Sequence, residues 1–156
     1  MDSLFKKTYF QFGLLMTGLL LVCLTYLELT GNNKSFENKH PVFFVYQFVA
    51  PAVVWYLGMR ARKNAQGGKL TYKQGFIEGF KISLVFAFTS PLLFGAYYLL
   101  VNPEILGYVK TAYGMTDASN GMIIAIDLLA QIVAAIIFGS IYAAIIAFFA
   151  RSKSSK

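Results

Sequence analysis

Four long apolar blocks constrain this chain more than any other feature of its sequence. A helix needs about 20 mostly apolar residues to cross the roughly 30 Å of hydrocarbon in a bilayer. The blocks meet that length, and they run over residues of about 8–27, 41–59, 82–101 and 122–150. Charged residues make up 13% of the chain, against roughly 25% in soluble domains. We therefore predict an all-α polytopic membrane protein, with residues 1–156 forming one domain of four transmembrane helices.

Basic residues are unevenly shared between the two sides of such a bundle. Of the 14 lysines and arginines, only Lys34, Lys39 and Lys110 fall on the side away from the termini and the middle loop. Because short cytoplasmic loops are enriched in these residues, we expect both termini in the cytoplasm. The net charge of +7 does not indicate nucleic-acid binding, since the basic residues stand at the ends of the apolar blocks without a recognition motif.

Residues that could carry chemistry are few. Cys23 is the sole cysteine, so neither an intramolecular disulfide nor a cysteine and histidine metal site can form. His40 stands alone in a loop beside Pro41, and no phosphate-binding glycine loop or HExxH motif is present. Residues 24–30 lack a small-x-small cleavage site, so the first block is expected to be retained as a helix. We predict no metal, no cofactor and no enzymatic activity.

Two helix starts are predicted from capping patterns. Thr71 followed by Gln74 has the form of a capping box, which indicates that the third helix begins well before its apolar block. Asn102 before Pro103 suggests a capped short helix in the next loop. Its apolar side chains are expected to rest on the membrane surface, and they are Ile105, Leu106, Tyr108 and Val109.

Asp127 is the first candidate for a polar site within a span. Gln131 follows it by one helical turn and therefore shares its face. Asp127 lies 24 residues before Arg151, which is about 36 Å along a helix. That distance exceeds the apolar thickness of a bilayer, so we place Asp127 at the outer interface. Two interpretations remain open: Asp127 binds a proton or a substrate, or its carboxylate is simply solvated or paired locally.

The other charged side chains near span ends have simpler interpretations. Glu28 ends the first block and is expected to be solvated. Glu78 and Lys81 are three residues apart, a spacing that allows an ion pair on one helix face.

Pro51 and Pro91 fall near the middle of the second and third blocks. Each removes a backbone donor from its helix, and Gln47, Thr89 and Ser90 are close enough in sequence to help satisfy the freed carbonyls. The pair is interpreted either as a hinge or polar pocket, or as two ordinary kinks that shape the bundle.

A stripe of small residues follows Asp127 and Gln131 along the fourth block at every fourth position. Small residues at this spacing let two helix backbones approach closely. The stripe marks a packing face, either within the bundle or against a partner, and its members are Ala135, Gly139, Ala143 and Ala147.

Three stretches carry a resemblance to a known family. They are WYLGMRARK at 55–63, GGKLTYKQGFIEGFKIS at 67–83 and VNPEILGYVK at 101–110. Together with the order of the four blocks, they resemble the domain-of-unknown-function 4199 family (DUF4199) of small bacterial membrane proteins. The resemblance implies a bacterial inner-membrane protein. It implies no activity and assigns no role to any residue.

Two functions are compatible with these patterns. The first is a non-enzymatic accessory or scaffold component, which would form a homo- or hetero-oligomer through the fourth helix in contact with membrane lipids. The alternative is a small transporter or carrier of a lipid-linked or small solute, with Pro51 and Pro91 beside its path and Asp127, Gln131 and Gln47 as its polar groups.

Overall fold

The computed structural model describes residues 7–31 and 41–152, and over those ranges it is all-helical. Four helices are long and apolar enough to cross a membrane. We call them the first to fourth spans, and they are Thr8–Leu29, Pro41–Ala65, Tyr72–Val101 and Asn120–Ala150. The connecting helix, Ile105–Ala112, lies between the last two. The prediction of an all-α fold with four spans is confirmed, whereas Lys34, Lys39 and His40 lie outside the described residues.

The third span begins where its capping box predicts. Thr71 Oγ1 accepts a hydrogen bond from the Gln74 backbone N–H at 3.2 Å, and Gln74 Oε1 accepts one from the Thr71 N–H at 2.9 Å. Two N–H groups that no helical carbonyl can reach are thereby satisfied. The third span therefore begins at Tyr72 and extends about three turns before its apolar block.

The predictions for the connecting helix are wrong in two respects. Its N-cap is Glu104, without a side-chain hydrogen bond, because Pro103 and Glu104 form a turn and the helix begins only at Ile105. Asn102 Nδ2 instead lies 3.5 Å from Glu28 Oε2. The apolar face, which was expected to contact lipid, is instead buried against the ends of the spans. The buried side chains are Ile105, Leu106 and Val109, whereas Tyr108 is exposed.

Small residues on both sides allow the third and fourth spans to pack closely. Along these antiparallel helices, Gly79 lies opposite Ala143, and a Cβ added to Gly79 would stand 2.8 Å from the Ala143 Cβ. A Cβ added to Gly139 would overlap the Ser83 side chain. The stripe on the fourth span thus packs on a matching stripe in the third span of the same chain, which contains Gly75, Gly79 and Ser83.

The buried side chains of Trp55 and Ser83 at this contact have polar partners within the bundle. Trp55 Nε1 donates to Ser83 Oγ at 3.2 Å, and Ser83 Oγ donates to the Gly79 carbonyl at 3.0 Å. Such pairing matters because the hydrocarbon of a bilayer offers no water to an unpaired donor. The resulting core, near the end of the bundle that carries the basic loop, also contains Met59 and Ile82, which are 0% exposed.

The second span divides into two parts at Pro51. A π-helical segment, Val45–Val49, precedes the proline, and the Ala50 N–H donates to the Val45 carbonyl five residues back. The wider turn accommodates a residue without a backbone donor. Residues 41–49 include no buried residue, whereas Pro51, Val54 and Trp55 are buried. Pro91 differs, since the α-helix continues through it to Ala96.

We expect Gly139→Leu to destabilise the isolated chain, because the added side chain has no space beside Ser83. Overpacking of this kind costs about 1–3 kcal/mol. Gly18→Leu is the matched control, since a Cβ at Gly18 would meet no atom within 4 Å. Thermal unfolding in detergent should show a lower midpoint for Gly139→Leu alone. Equal midpoints for the two variants would contradict the packing described here.

Candidate functional site

Two adjacent tyrosines at the end of the third span bind two different helices. The π-helical segment Tyr97–Val101 ends this span. The Tyr97 hydroxyl donates to Glu28 Oε2 at 2.7 Å, and the Tyr98 hydroxyl donates to Asp127 Oδ2 at 2.6 Å. Both tyrosines are buried. The prediction that Glu28 is simply solvated is wrong, because its half-buried carboxylate accepts hydrogen bonds from the third span.

Asp127 is the centre of a hydrogen-bond network that joins three parts of the chain. It accepts from Tyr98 in the third span, from Tyr113 after the connecting helix at 3.0 Å, and from Gln131 one turn further along its own span. Since Tyr113 is 41% exposed, the network reaches the surface at the end of the bundle. Burial and the nearby Asp127 carboxylate raise the pKa of Tyr113, so its hydroxyl stays protonated and donates at neutral pH.

The network fixes the orientation of the Gln131 amide. Gln131 Nε2 donates a hydrogen bond to Asp127 Oδ2, so the NH₂ group of the amide faces the carboxyl group. The same nitrogen also donates to the Tyr98 hydroxyl at 3.3 Å. The amide oxygen, Oε1, therefore faces away from the carboxylate. It is buried and has no hydrogen-bond partner among the described residues.

A cavity of about 320 Å³ lies beside Gln131 and is lined by residues from all four spans. The cavity brings together Gln47, Pro51 and Gln131 from the predicted polar and proline positions. Ala135 and Gly139 of the stripe also line it, whereas Asp127 and Pro91 do not. None of its lining residues is an aspartate, glutamate, lysine, arginine or histidine. Its wall is thus apolar, with isolated neutral polar groups.

Tyr46, which the sequence analysis did not single out, supplies a second unpaired polar group. It lies in the π-helical segment of the second span and lines the cavity. Its hydroxyl oxygen is buried and, like Gln131 Oε1, has no hydrogen-bond partner in the described part of the chain. Gln47, the polar residue that the sequence suggested, is exposed at the edge of the cavity. In the sequence, the one signal that could have pointed to Tyr46 is its position five residues before Pro51.

Charged groups at the basic end of the bundle pair differently from the prediction. Glu78 Oε2 lies 3.9 Å from Arg62 Nε in the second span. The Lys81 ammonium instead stands 5.3 Å from the centre of the Tyr9 ring. The predicted pair within one helix is therefore replaced by contacts that connect neighbouring spans. In residues 7–31 and 41–152, no group of three or more His, Cys, Asp or Glu side chains could hold a metal ion.

We expect Tyr98→Phe to lower the stability of the fold, because it removes a buried donor to Asp127 and an acceptor for Gln131. Hydrogen bonds to charged groups contribute about 1.5–3 kcal/mol. Tyr108→Phe is the control, since Tyr108 is exposed on the connecting helix. Thermal unfolding in detergent measures the difference. A Tyr98→Phe midpoint equal to that of the control would show that the network adds no stability.

Comparison with known proteins identifies a family and no individual relative. No curated protein and no solved structure matches this chain. One family model, described as a protein of unknown function (DUF4199), matches residues 11–152. That range contains the three stretches on which the resemblance was based, at 55–63, 67–83 and 101–110. The match covers nearly the whole chain, and the protein therefore belongs to the DUF4199 family.

Proposed function

We propose that this chain is a non-enzymatic membrane protein that holds a small lipophilic molecule in the cavity between its four spans. The observation that carries the proposal is the cavity itself. Its volume of about 320 Å³ is within the range of ligand sites, which are mostly apolar with a few placed polar groups. Carriage of a lipid-linked or small solute across or within the membrane is the corresponding activity.

The position of the cavity gives a lipophilic molecule a route from the bilayer. Phe48 of the second span and Phe138 of the fourth span both line it, and their side chains are 48% and 62% exposed. Since exposed apolar side chains on a span face lipid, the gap between these spans opens toward the hydrocarbon. Membrane lipids are thus the first partners to consider.

The chemistry of the lining favours binding over catalysis. A nucleophile needs an adjacent base to be activated. The residues that line the cavity include no histidine, cysteine or carboxylate, and Asp127 outside it already accepts three hydrogen bonds. These features support a protein that binds without transforming its ligand.

An accessory or scaffold role is the second proposal. The stripe that suggested assembly through the fourth helix is occupied by the third span, because Gly139, Ala143 and Ala147 are buried within the single chain. A homo- or hetero-oligomer would use the other side of that helix, which exposes large apolar residues such as Val133, Ile137 and Ile141. The mass and composition of the complex purified in mild detergent test this role. Co-purified subunits would support it, and a lone monomer would oppose it.

We propose the bacterial inner membrane as the location, with both termini in the cytoplasm. Among the described residues, Lys110 is the only basic residue at the end that holds Asp127. The other end carries the remainder, including Arg60, Arg62 and Lys63, in agreement with the cytoplasmic enrichment of basic loops.

Cysteine labelling tests the orientation. In a Cys23→Ala background, we expect Thr116→Cys to react with an impermeant maleimide added to intact cells, because residue 116 is exposed beyond the connecting helix. Lys69→Cys, exposed in the basic loop, should react only after the cells are lysed. The reverse pattern would place the termini outside the cytoplasm.

We expect Ala135→Phe to reduce ligand binding, because the larger side chain fills the cavity. Trp55 is the only tryptophan, lines the cavity and is 2% exposed. Its fluorescence should therefore be quenched by a brominated ten-carbon probe, bromodecane or ω-bromodecanol, only when the probe enters. Quenching should be saturable in the unmodified protein and in the control Ala130→Phe, and at least several-fold weaker in Ala135→Phe. Equal quenching in the two variants, or none with either probe, would overturn the proposed function.

A further inference from the structure

We infer that the basic end of the bundle binds the headgroup of an anionic phospholipid, with Lys81 and the Tyr9 hydroxyl holding its phosphate. This site is separate from the cavity, so it does not depend on the proposed function. Lys81 is exposed on the third span, and its ammonium group lies 5.3 Å from the centre of the Tyr9 ring in the first span. The two side chains therefore meet on the side of the bundle where these two spans pack together.

Both side chains retain donors that a phosphate can accept. The Lys81 ammonium contacts the Tyr9 ring, and its N–H groups have no hydrogen-bond acceptor among the described residues. The Tyr9 hydroxyl likewise has no hydrogen-bond partner in residues 7–31 and 41–152. Lys81 is exposed and Tyr9 is partly exposed, so a molecule outside the bundle can reach them. Hydrogen bonds from such donors to a phosphate are strengthened by its charge.

The surrounding charges leave a positive surplus at this end. Glu78 is the one acidic residue here in the described part of the chain, and it is buried, 3.9 Å from Arg62. Arg62 and Lys81 both interact electrostatically with the Glu78 carboxyl group, so two cations surround one acid. Five further basic side chains at this end are exposed without an acidic partner among the described residues, and they are Lys7, Arg60, Lys69, Lys73 and Arg151. A headgroup with a net negative charge is therefore favoured over a zwitterionic one.

Lys81 stands at the level of the lipid phosphates. It immediately precedes the apolar block at 82–101, and helical side chains tilt toward the start of their helix, which for the third span is the basic end. Phe88 and Leu92, two and three turns further along the same side of the helix, are 63% and 75% exposed. A phospholipid bound at Lys81 thus has an apolar surface along which its acyl chains can lie.

Lys73 is a matched control on the same span. It is also exposed, but it lies eight residues closer to the start of the helix. That separation is about 12 Å along the axis, whereas headgroups extend roughly 5–8 Å beyond the hydrocarbon on each side of a bilayer. Lys73→Gln and Lys81→Gln therefore remove the same charge from the same helix, but only Lys81 is at the phosphate level.

Native mass spectrometry of the purified full chain tests the inference by counting retained lipids. The protein is equilibrated in detergent with equal amounts of phosphatidylglycerol and phosphatidylcholine that carry the same acyl chains. We expect the unmodified protein and Lys73→Gln to retain phosphatidylglycerol preferentially. Lys81→Gln should lower this preference about five-fold, the ratio expected for one lysine near an anionic headgroup. Tyr9→Phe keeps the ring beside Lys81 and removes the hydroxyl, so it should lower the preference at least about two-fold.

Several outcomes would overturn the site. Equal retention of the two lipids by the unmodified protein is one, and an unchanged preference in Tyr9→Phe would remove the hydroxyl from it. Equal losses in Lys73→Gln and Lys81→Gln would show only a diffuse attraction to the basic end. If Lys81→Gln does not fold, Tyr9→Phe decides the outcome.

Two further arms separate this lipid from other occupants. Glycerophosphoglycerol, the same headgroup without acyl chains, should not displace phosphatidylglycerol at an equal concentration, and displacement would show that the site takes a soluble phosphate. Ala135→Phe, which fills the cavity, should leave the preference unchanged. A loss of preference in this variant would place the lipid in the cavity and overturn the site at Lys81.

Discussion

The close approach of the third and fourth spans is the contact on which the rest of the structure depends. Gly79 and Ala143 meet at a distance that no larger pair would allow, and Ser83 occupies the space that a side chain on Gly139 would fill. In lipid, helices gain little from hiding apolar surface from one another, so close packing and interhelical hydrogen bonds decide how they associate. The antiparallel register set by these small residues also brings Tyr98, further along the third span, within hydrogen-bonding distance of Asp127.

The second span follows a different principle. Between Pro51 and Met59 it buries five residues, including Val54 and Trp55, but residues 41–49 include no buried residue. A soluble protein would be destabilised by an apolar gap of this size, because empty space forfeits the contacts of its lining atoms. A membrane protein can fill the same gap with a chain from the surrounding lipid. The π-helical segment Val45–Val49 lies where the span separates from the bundle, and it adds Tyr46 to the cavity.

Local patterns in the sequence predicted what depends on neighbours along the chain. The four spans, the capping box of Thr71 and the shared face of Asp127 and Gln131 all follow from spacing within one helix. The contact of Glu28 with Tyr97 joins residues 69 positions apart, and no periodicity reports such a pair. Hydropathy was also uninformative about the connecting helix, because its apolar face suits a lipid surface and a protein core equally well. The stripe of the fourth span was recognised from its own spacing, whereas its register against Gly75, Gly79 and Ser83 of the third span was not predicted.

Asp127 shows how a carboxylate can stand beside an apolar cavity without a cation. Three donors, the Tyr98 and Tyr113 hydroxyls and the Gln131 amide, take the place of a counter-ion. Because the donors are neutral, no second charge has to be buried, and the cost of desolvating an ion pair is avoided. The arrangement has a directional consequence. The amide that donates to the carboxylate turns its oxygen away from it, and that oxygen is buried without a hydrogen-bond partner among the described residues. Glu78 at the basic end lies near the Arg62 side chain instead, and the cavity has no residue of either charge.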